Sequence, residues 1–278
     1  MRLGIAKALE HSSPDEWAHK HRSLGCGAVV FPIDYNSEDS LINAYVNAAK
    51  KYDLVIAEVG IWVNPICSDE KQREHNLERC INQLKLAQRI GAKCTVNIAG
   101  SCGEIWDGAY KENYSDAAFD KTVSSVQRII DCAKPKDTFY TLEPMPWMYP
   151  DSPESYLDLI EAINREQFAV HLDIVNMITN PQKYFFNEAF MEECFKLLGD
   201  SIISCHVKDI RLEKHFTFNL SEVPCGEGNL NIVRYAHLAN EVSEDMPFII
   251  EHLDSDEEYI ESAIYVKDLL KNEGIKFK

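Results

Sequence analysis

Eight short apolar runs, rich in Val and Ile, recur along the chain of 278 residues, and stretches with helical spacing separate them. The runs lie at residues 2–6, 27–33, 53–59, 92–99, 138–144, 168–174, 201–207 and 246–253. Apolar runs of this length and composition predict strands. Strands that alternate with helices eight times predict a parallel (β/α)8 TIM barrel, a fold that usually needs about 250 residues.

The stretches between the runs carry start and stop signals for helices. Ser13 and Ser152 each offer an N-cap and are followed by a proline at the first helical position, and Glu16 adds the acid of a capping box. A further helix has an apolar face up to Ile90 and is expected to end at Gly91. Other helices are expected at 122–132 and at about 256–271.

A doubly wound open sheet is the alternative fold for this pattern. It is disfavoured because no strand is followed by a GxGxxG motif or a P-loop. No Pro/Gly/Ser linker and no change in composition divides the chain, so residues 1–278 are expected to form a single domain. The longest irregular segment, about 211–231, is interpreted as a functional loop.

Charge and hydropathy narrow the range of partners. The chain has 45 acidic and 28 basic residues, a formal net charge of −17 at pH 7. Such a chain repels a phosphate backbone, so we expect no binding to nucleic acid. Neither a signal peptide nor a membrane span is evident, so we expect a soluble, cytoplasmic protein without a membrane partner.

The nine cysteines are scattered and form no CxxC pair. This spacing argues against both a disulfide framework and a thiolate zinc site, and it predicts reduced packing residues. Cys225, which lies in a glycine-containing loop, is expected to be the most exposed of them.

Polar residues end four consecutive predicted strands, the fifth to the eighth. They are Glu143, Asp173, His206 and Glu251. In a parallel barrel the carboxyl ends of the strands meet at one mouth, where three acids repel one another unless a cation or protons hold them together. The set predicts one divalent metal ion, with Mn²⁺ as first choice and Mg²⁺, Co²⁺ or Zn²⁺ as options. The alternative is four unrelated polar residues that cap strands.

The motifs LEP, HLD, CHVKD, VPCGEGNLN and IIEHLD, in this order over residues 142–254, resemble the xylose-isomerase-like barrel superfamily. This superfamily includes ketose 3-epimerases, hydroxypyruvate isomerase, inosose isomerases and dehydratases, and related apurinic endonucleases. The resemblance implies that Glu143, Asp173, His206 and Glu251 hold the metal. It also implies that Glu143 and Glu251 are catalytic and exchange protons with the carbon beside a substrate carbonyl, through a metal-stabilised enediolate.

Two residues near these predicted ligands are ambiguous. Lys208 has the same strand parity as His206 and is a candidate catalytic group that protonates a leaving hydroxyl or binds an oxyanion. The alternative is an ion pair with Asp209 or Glu227. His171 has the same parity as Asp173 but lies deeper, so it is interpreted as a hydrogen-bonded core or supporting residue, with a substrate contact as the alternative.

Other candidate substrate-binding residues lie in predicted loops. Glu58 and Trp62 are assigned to the third loop, where a polar substrate contact is expected and a surface role is the alternative. Trp147 offers a ring face to the apolar side of a sugar, or else it covers the barrel mouth or a subunit contact. Arg211 is a candidate for binding a phosphate or carboxylate on the substrate.

Three functions are compatible with these features. The first is a metal-dependent isomerase or epimerase that acts on a small carbohydrate, a keto-sugar or inosose. The second is a lyase or dehydratase that eliminates water or a carbon-linked aglycone, and the third is a barrel that binds sugar without turnover. Ketose 3-epimerases carry a histidine where this chain has Asn176, so the motifs do not single out a 3-epimerase. The resemblance also suggests a homodimer or homotetramer.

Overall fold

The computed structural model describes residues 1–278 and contains all eight predicted strands. They are β1 (Arg2–Ile5), β2 (Ala28–Val30), β3 (Val55–Gly60), β4 (Cys94–Asn97), β5 (Phe139–Leu142), β6 (Phe168–Asp173), β7 (Ile202–Val207) and β10 (Pro247–Ile250). Between β7 and β10, a short antiparallel pair is formed by β8 (Asp209–Leu212) and β9 (Leu220–Val223). The barrel strands pair in parallel in the order β1-β10-β7-β6-β5-β4-β3-β2. The prediction of a TIM barrel is confirmed.

The barrel closes where β1 approaches β2. The backbone N–H of Gly27 donates to the carbonyl of Leu3 at 2.9 Å, which joins the two ends of the sheet. Gly4 permits this approach, because a Cβ there would lie 2.7 Å from the carbonyl oxygen of Ala28. The open-sheet alternative is therefore wrong.

Helices surround the strands. They are α1 (Pro14–Ser23), α2 (Asp39–Lys51), α3 (Glu70–Ile90), α4 (Asp116–Ala133), α5 (Pro153–Ile163), α6 (Pro181–Phe185), α7 (Asn187–Leu198), α8 (Ile232–Val242) and α9 (Asp256–Asn272). None of them combines the length and the apolar composition that a membrane crossing needs.

The predicted helix caps are present, with one difference. Ser13 and Ser152 accept hydrogen bonds from backbone N–H groups of the first turn, and Gly91 ends α3 with a φ of 72°. The capping box predicted for α1 is incomplete, because the Glu16 carboxylate accepts a bond from the N–H of Ser12 at 2.8 Å instead of from Ser13. The Glu16 carboxylate reaches one residue further back than a capping box requires, and it still accepts a free backbone N–H at the start of the helix.

Two buried tyrosines on the outer helices fix the ends of the strands that carry the candidate site. The hydroxyl of Tyr156, from α5, donates to the carbonyl of Leu142 at the end of β5. The hydroxyl of Tyr235, from α8, lies 2.9 Å from the carbonyl of Leu172 and 3.1 Å from that of His206. Because each ring is buried and each hydroxyl is hydrogen-bonded to a strand, these tyrosines fix the helices relative to the strands.

The segment at 211–231 is less irregular than expected, because the antiparallel pair β8–β9 occupies its first half. The expectation for Cys225 is wrong. It is only 6% exposed, and burial raises the pKa of its thiol to about 12, so it is a packing residue rather than a reactive one.

Candidate active site

The four residues predicted to bind a metal converge at the mouth of the barrel. Their ligand atoms all lie within 4.8 Å of one another, and all four side chains are buried. The Nδ1 atom of His206 lies 2.7 Å from Glu251 Oε2 and 3.3 Å from Glu143 Oε1. The two glutamates thus approach this nitrogen from β10 on one side and from β5 on the other.

The electrostatics of this cluster favour added positive charge. Burial raises the pKa of Asp173 well above its usual range, and repulsion from Glu251 and Glu143 adds to burial. Burial opposes charge on His206, but Glu251, Glu58 and Glu143 outweigh it, so the pKa of His206 is raised. Burial also acts against ionisation of Glu251, yet His206 and Lys208 hold its pKa well below the usual value. Carboxylates this close together stay ionised only when a cation lies beside them.

The donor set fits a divalent cation. Asp173 Oδ2 is fully buried and has no hydrogen-bond partner, so it has a free lone pair. Asn176 orients two of the acids: its N–H donates to Asp173 Oδ1 and its side-chain amide to Glu143 Oε1, both at 3.1 Å. Three carboxylates and one imidazole suit Mg²⁺ or Mn²⁺ better than a thiolate-preferring metal.

Lys208 lies beside this cluster and is fully buried. Its Nζ is 2.8 Å from Asp173 Oδ2, in a contact not aligned as a hydrogen bond, 2.8 Å from Glu251 and 2.9 Å from Glu222. Lys208 therefore forms ion pairs, but the expected alternative named the wrong partners, Asp209 and Glu227. Burial opposes the charge of Lys208, but Asp173 and Glu251 outweigh it and raise its pKa, so the ammonium is charged.

Glu222 and His252 are two site residues that the sequence analysis missed. His252 Nδ1 lies 3.1 Å from Glu222 Oε2 and 3.1 Å from Lys208 Nζ. Burial raises the pKa of Glu222, but His252 and Lys208 outweigh it and lower the value to about 2. His252 follows Glu251 directly, which is a usable signal. Glu222 becomes visible only when β9 is paired with β8.

A cavity of about 770 Å³ opens beside the cluster. None of the four candidate ligands lines it, but Asn176 and His252, which contact Glu143 and Glu251, do. Its walls come from the loops after β5 and β6, from β8–β9 and from the residue after Glu251. The lining residues are Met145, Pro146, Trp147, Val175, Asn176, Ile178, Thr179, Ile210, Phe218, Asn219, Leu220, Glu222 and His252. Trp147 is thus placed at the mouth, where its Nε1 donates to the carbonyl of Asp107 at 2.7 Å.

The remaining predicted substrate residues lie elsewhere. Trp62 is 44% exposed and packs over Gly60, outside the lining of the cavity. Arg211 alternates with the cavity-facing Ile210, so its guanidinium points away, 3.6 Å from Glu213 and 4.0 Å from Glu227. A substrate contact by Arg211 does not fit this placement.

Glu58 and His171 form a layer below the cluster. Glu58 lies inside β3 rather than in the loop and is 2% exposed, so a surface role is wrong. His171 is fully buried, and neither ring nitrogen has a hydrogen-bond partner, so the expected hydrogen bonds are absent. Neither residue lines the cavity.

A second groove, of about 800 Å³, lies on the outside of the barrel between α7 and α9. Three acids line it. Both oxygens of Asp209 already accept backbone N–H groups from Ile210 and the glycine loop, and Glu188 and Glu192 accept hydrogen bonds from Asn231 and Arg234. No cluster of candidate ligands faces this groove. The mouth cavity is therefore the candidate active site.

A family model described as xylose isomerase-like TIM barrel matches residues 18–269. The chain belongs to this family. No curated protein matches the chain in sequence at a significant level.

Solved structures of the xylose isomerase-like fold cover nearly the whole chain at low identity. A D-tagatose 3-epimerase-like protein has a TM-score of 0.75 and 20% identity, covering 99% of this chain and 100% of that one. A probable 3-DHS dehydratase from Bacillus anthracis has a TM-score of 0.73 and 16% identity, covering 97% and 98%. A xylose isomerase-like protein from Mycobacterium smegmatis, in complex with magnesium, has a TM-score of 0.68 and 17% identity, covering 93% and 88%. At these identities the likeness concerns the fold.

Proposed function

We propose that this protein is a divalent-metal-dependent isomerase or epimerase of a keto-sugar, inosose or related polyol. The observation that carries the proposal is the pair of buried glutamates, Glu143 and Glu251, which lie 3.3 and 2.7 Å from the same nitrogen of His206 and follow strands on either side of β7. Two carboxylates that flank one point can remove a proton from one face of a carbon and return it to the other. The 3-epimerase-like structural neighbour is consistent with this chemistry.

Each residue has a defined task in this proposal. Glu143, Asp173, His206 and Glu251 would hold the metal ion, which supplies a Lewis acid that polarises a carbonyl. Glu143 and Glu251 exchange protons with the carbon beside that carbonyl. Lys208, a buried ammonium, stabilises negative charge that develops on a substrate oxygen. Asn176 keeps the Glu143 and Asp173 carboxylates in place.

The walls of the cavity favour a substrate without a phosphate group. Among the lining residues no Arg or Lys is present, while Glu222 adds a negative charge. Lys208 beneath the cavity is already paired with three carboxylates. Glu222 is paired with His252 and Lys208, so the lining has no unpaired cation that would bind a phosphate dianion. We propose a free keto-sugar or keto-polyol rather than a sugar phosphate.

A lyase is the second candidate, because one wall of the cavity is apolar and the volume is generous. Ile210, Phe218 and Leu220 line the side formed by β8 and β9 and the loop between them, and Trp147 lies on another wall. A volume of about 770 Å³ leaves room beside a sugar ring for an apolar substituent. In this reaction Lys208 would protonate the leaving group. The probable dehydratase among the structural neighbours is consistent with elimination chemistry.

Solvent exchange in D₂O tests the proposal. Protein loaded with Mn²⁺ is incubated with free ketohexoses, an inosose and a keto-glycoside, and deuterium on carbon is measured by NMR. We expect incorporation that chelator abolishes. A new ultraviolet-absorbing product would favour the lyase instead, and sugar binding with neither signal would leave a binding protein.

Variants connect this activity to the glutamates. We expect Glu143→Gln and Glu251→Gln each to reduce exchange by about 10³-fold or more, because each loses a base and a ligand charge. Glu227→Gln is the control, since that side chain is 61% exposed and lies outside the cavity lining. Near-normal exchange in either active-site variant would refute the assigned roles.

A further inference from the structure

A buried polar layer lies directly beneath the candidate metal site. Glu58 in β3, Ser204 and His206 in β7, and His171 in β6 form this layer, and each is no more than 2% exposed. Glu58 and His206 are far apart in the chain, and only the closure of the barrel brings them together. The proposed proton transfer does not use Glu58.

Glu58 makes two directed contacts. Its Oε1 accepts the hydroxyl of Ser204, and its Oε2 lies 3.2 Å from His206 Nε2. An ionised carboxylate this deeply buried is costly unless donors surround it. The Ser204 hydroxyl fixes one oxygen, so the other is held at the histidine ring.

The two nitrogens of His206 face opposite ways. Nδ1 points to Glu143 and Glu251 at the mouth, whereas Nε2 points down to Glu58. To bind a cation, Nδ1 must offer its lone pair, so the one remaining ring proton has to lie on Nε2. Glu58 accepts that proton in a hydrogen bond.

We propose that Glu58 is a positioning residue that holds His206 in the tautomer and orientation needed to bind the metal ion through Nδ1. This inference rests on the proposed metal site. It replaces the predicted contact of Glu58 with substrate. Carboxylates that accept the distal N–H of a ligating histidine generally raise metal affinity by about 10–100-fold.

His171 does not take this role. Its Nδ1 lies 3.6 Å from Glu58 Oε1, without a hydrogen bond, and its ring packs edge-on against His206 with centroids 3.9 Å apart. It confines the His206 ring laterally, but it does not select a nitrogen. Glu58 is thus the acceptor that decides the tautomer.

Metal affinity measured without substrate tests the proposal. Mn²⁺ dissociation constants are determined by isothermal titration calorimetry for the wild type, Glu58→Gln and Glu58→Met, with thermal melting of each metal-free protein recorded alongside. Gln keeps the shape and one acceptor oxygen, whereas Met keeps only the volume. We expect an order: a few-fold weaker binding for Gln, and about 10–100-fold weaker binding for Met.

Glu227→Gln is the control for the loss of one negative charge, because that side chain is 61% exposed and belongs neither to the cavity lining nor to the cluster. We expect less than a threefold change in its affinity. Equal weakening in all three variants would mean that charge alone acts, and would overturn the proposal. Unchanged Mn²⁺ affinity in Glu58→Met, with a raised KM, would overturn the proposal and support the earlier prediction that Glu58 contacts the substrate. A wild type that binds Mn²⁺ but turns over no sugar would leave this result valid and refute only the proposed function.

Discussion

Lys208 shows how one side chain makes a cluster of buried acids tolerable. Its ammonium contacts Asp173, Glu222 and Glu251. Lys208→Met keeps the length of the stem but removes the cation beside Asp173 and leaves Glu251 and Glu222 with only their histidine partners. Breaking a buried ion pair costs about 3–5 kcal/mol. We predict a loss of about 3 kcal/mol or more in the free energy of unfolding, measured by urea denaturation in chelator.

The same variant should be destabilised less when Mn²⁺ is present, because a bound cation would neutralise Asp173 and Glu251 in place of the ammonium. Metal content should be retained while turnover falls. A loss of stability that is equal with and without Mn²⁺ would contradict the view that lysine and metal balance the same acids.

His171 gives a prediction about pH. Burial, followed by the charge of His206, lowers the pKa of His171 to about 4. An unfolded histidine titrates near a pKa of about 6.5, so between these values the unfolded chain binds a proton that the folded protein does not. The contribution of His171 is complete above pH 6.5 and is lost as the pH falls towards 4.

We therefore predict that His171→Leu flattens the dependence of unfolding free energy on pH between 4 and 6.5, by up to about 1.4 kcal/mol per pH unit. Urea denaturation at several pH values measures this slope. His75→Leu, an exposed position on α3, is the control. Identical slopes for wild type and His171→Leu would show that the pKa of His171 is not lowered in the folded protein.

At the level of elements, Asp209 explains the glycine-containing loop that follows β9. Its carboxylate accepts the backbone N–H groups of Ile210, Gly226, Gly228 and Leu230 at 2.8–3.0 Å. Gly228 is required, because a Cβ there would lie 2.2 Å from Asp209 Oδ1. The motif is therefore a structural cradle that anchors β8 and β9 over the barrel mouth.

Asp209→Asn replaces one acceptor oxygen with an amide group that faces N–H donors. Hydrogen bonds to a charged acceptor contribute about 1.5–3 kcal/mol each. We predict a loss of about 3 kcal/mol or more in unfolding free energy, with faster proteolysis within 209–231. Glu227→Gln, in the same loop but 61% exposed, should change stability by less than about 0.5 kcal/mol. Normal resistance to protease in Asp209→Asn would rule out the anchoring role.

The elements that sequence predicted well are those with local signals. Runs of Val and Ile indicate the barrel strands. The helix caps at Ser13, Ser152 and Gly91 depend only on residues that are close in the chain. Strands β8 and β9 were missed because they are short, partly polar and separated by an irregular turn. Their pairing depends on Asp209 contacting a loop 17 to 21 residues away.

The candidate ligands were predictable for a different reason. Glu143, Asp173, His206 and Glu251 end strands, and a barrel brings all strand ends to one mouth whatever their distance in sequence. The surroundings of Glu58 were not predictable, because Ser204 and His206 are 146 and 148 residues away and the stagger of the strands sets their relative depth. The alternation of side chains along a strand predicts which face a residue lies on. Its depth inside the barrel depends on how the closed barrel staggers the strands.

At the scale of the whole molecule, the barrel concentrates buried negative charge at one end while the chain already carries a net charge of −17. Three carboxylates of the cluster and Glu58 lie inside, against His206 and Lys208. Both the local cluster and the overall charge attract cations, but only the cluster offers a divalent ion a defined set of ligand atoms. Thermal stability can separate these two effects.

We predict that Mn²⁺ or Mg²⁺ raises the melting temperature, and that chelator reverses the rise. At a metal concentration of about 1,000 times the dissociation constant the stabilisation is about 4 kcal/mol, or roughly 10 °C for a domain of this size. NaCl at matched ionic strength should give a much smaller rise, because it screens the surface without filling the cluster. Asp173→Asn should lose the metal-dependent rise, whereas Asp200→Asn, exposed just before β7 at the opposite end of the barrel, should keep it. An equal rise in both variants would assign the effect to general screening of the acidic surface, and the metal site would have to be abandoned.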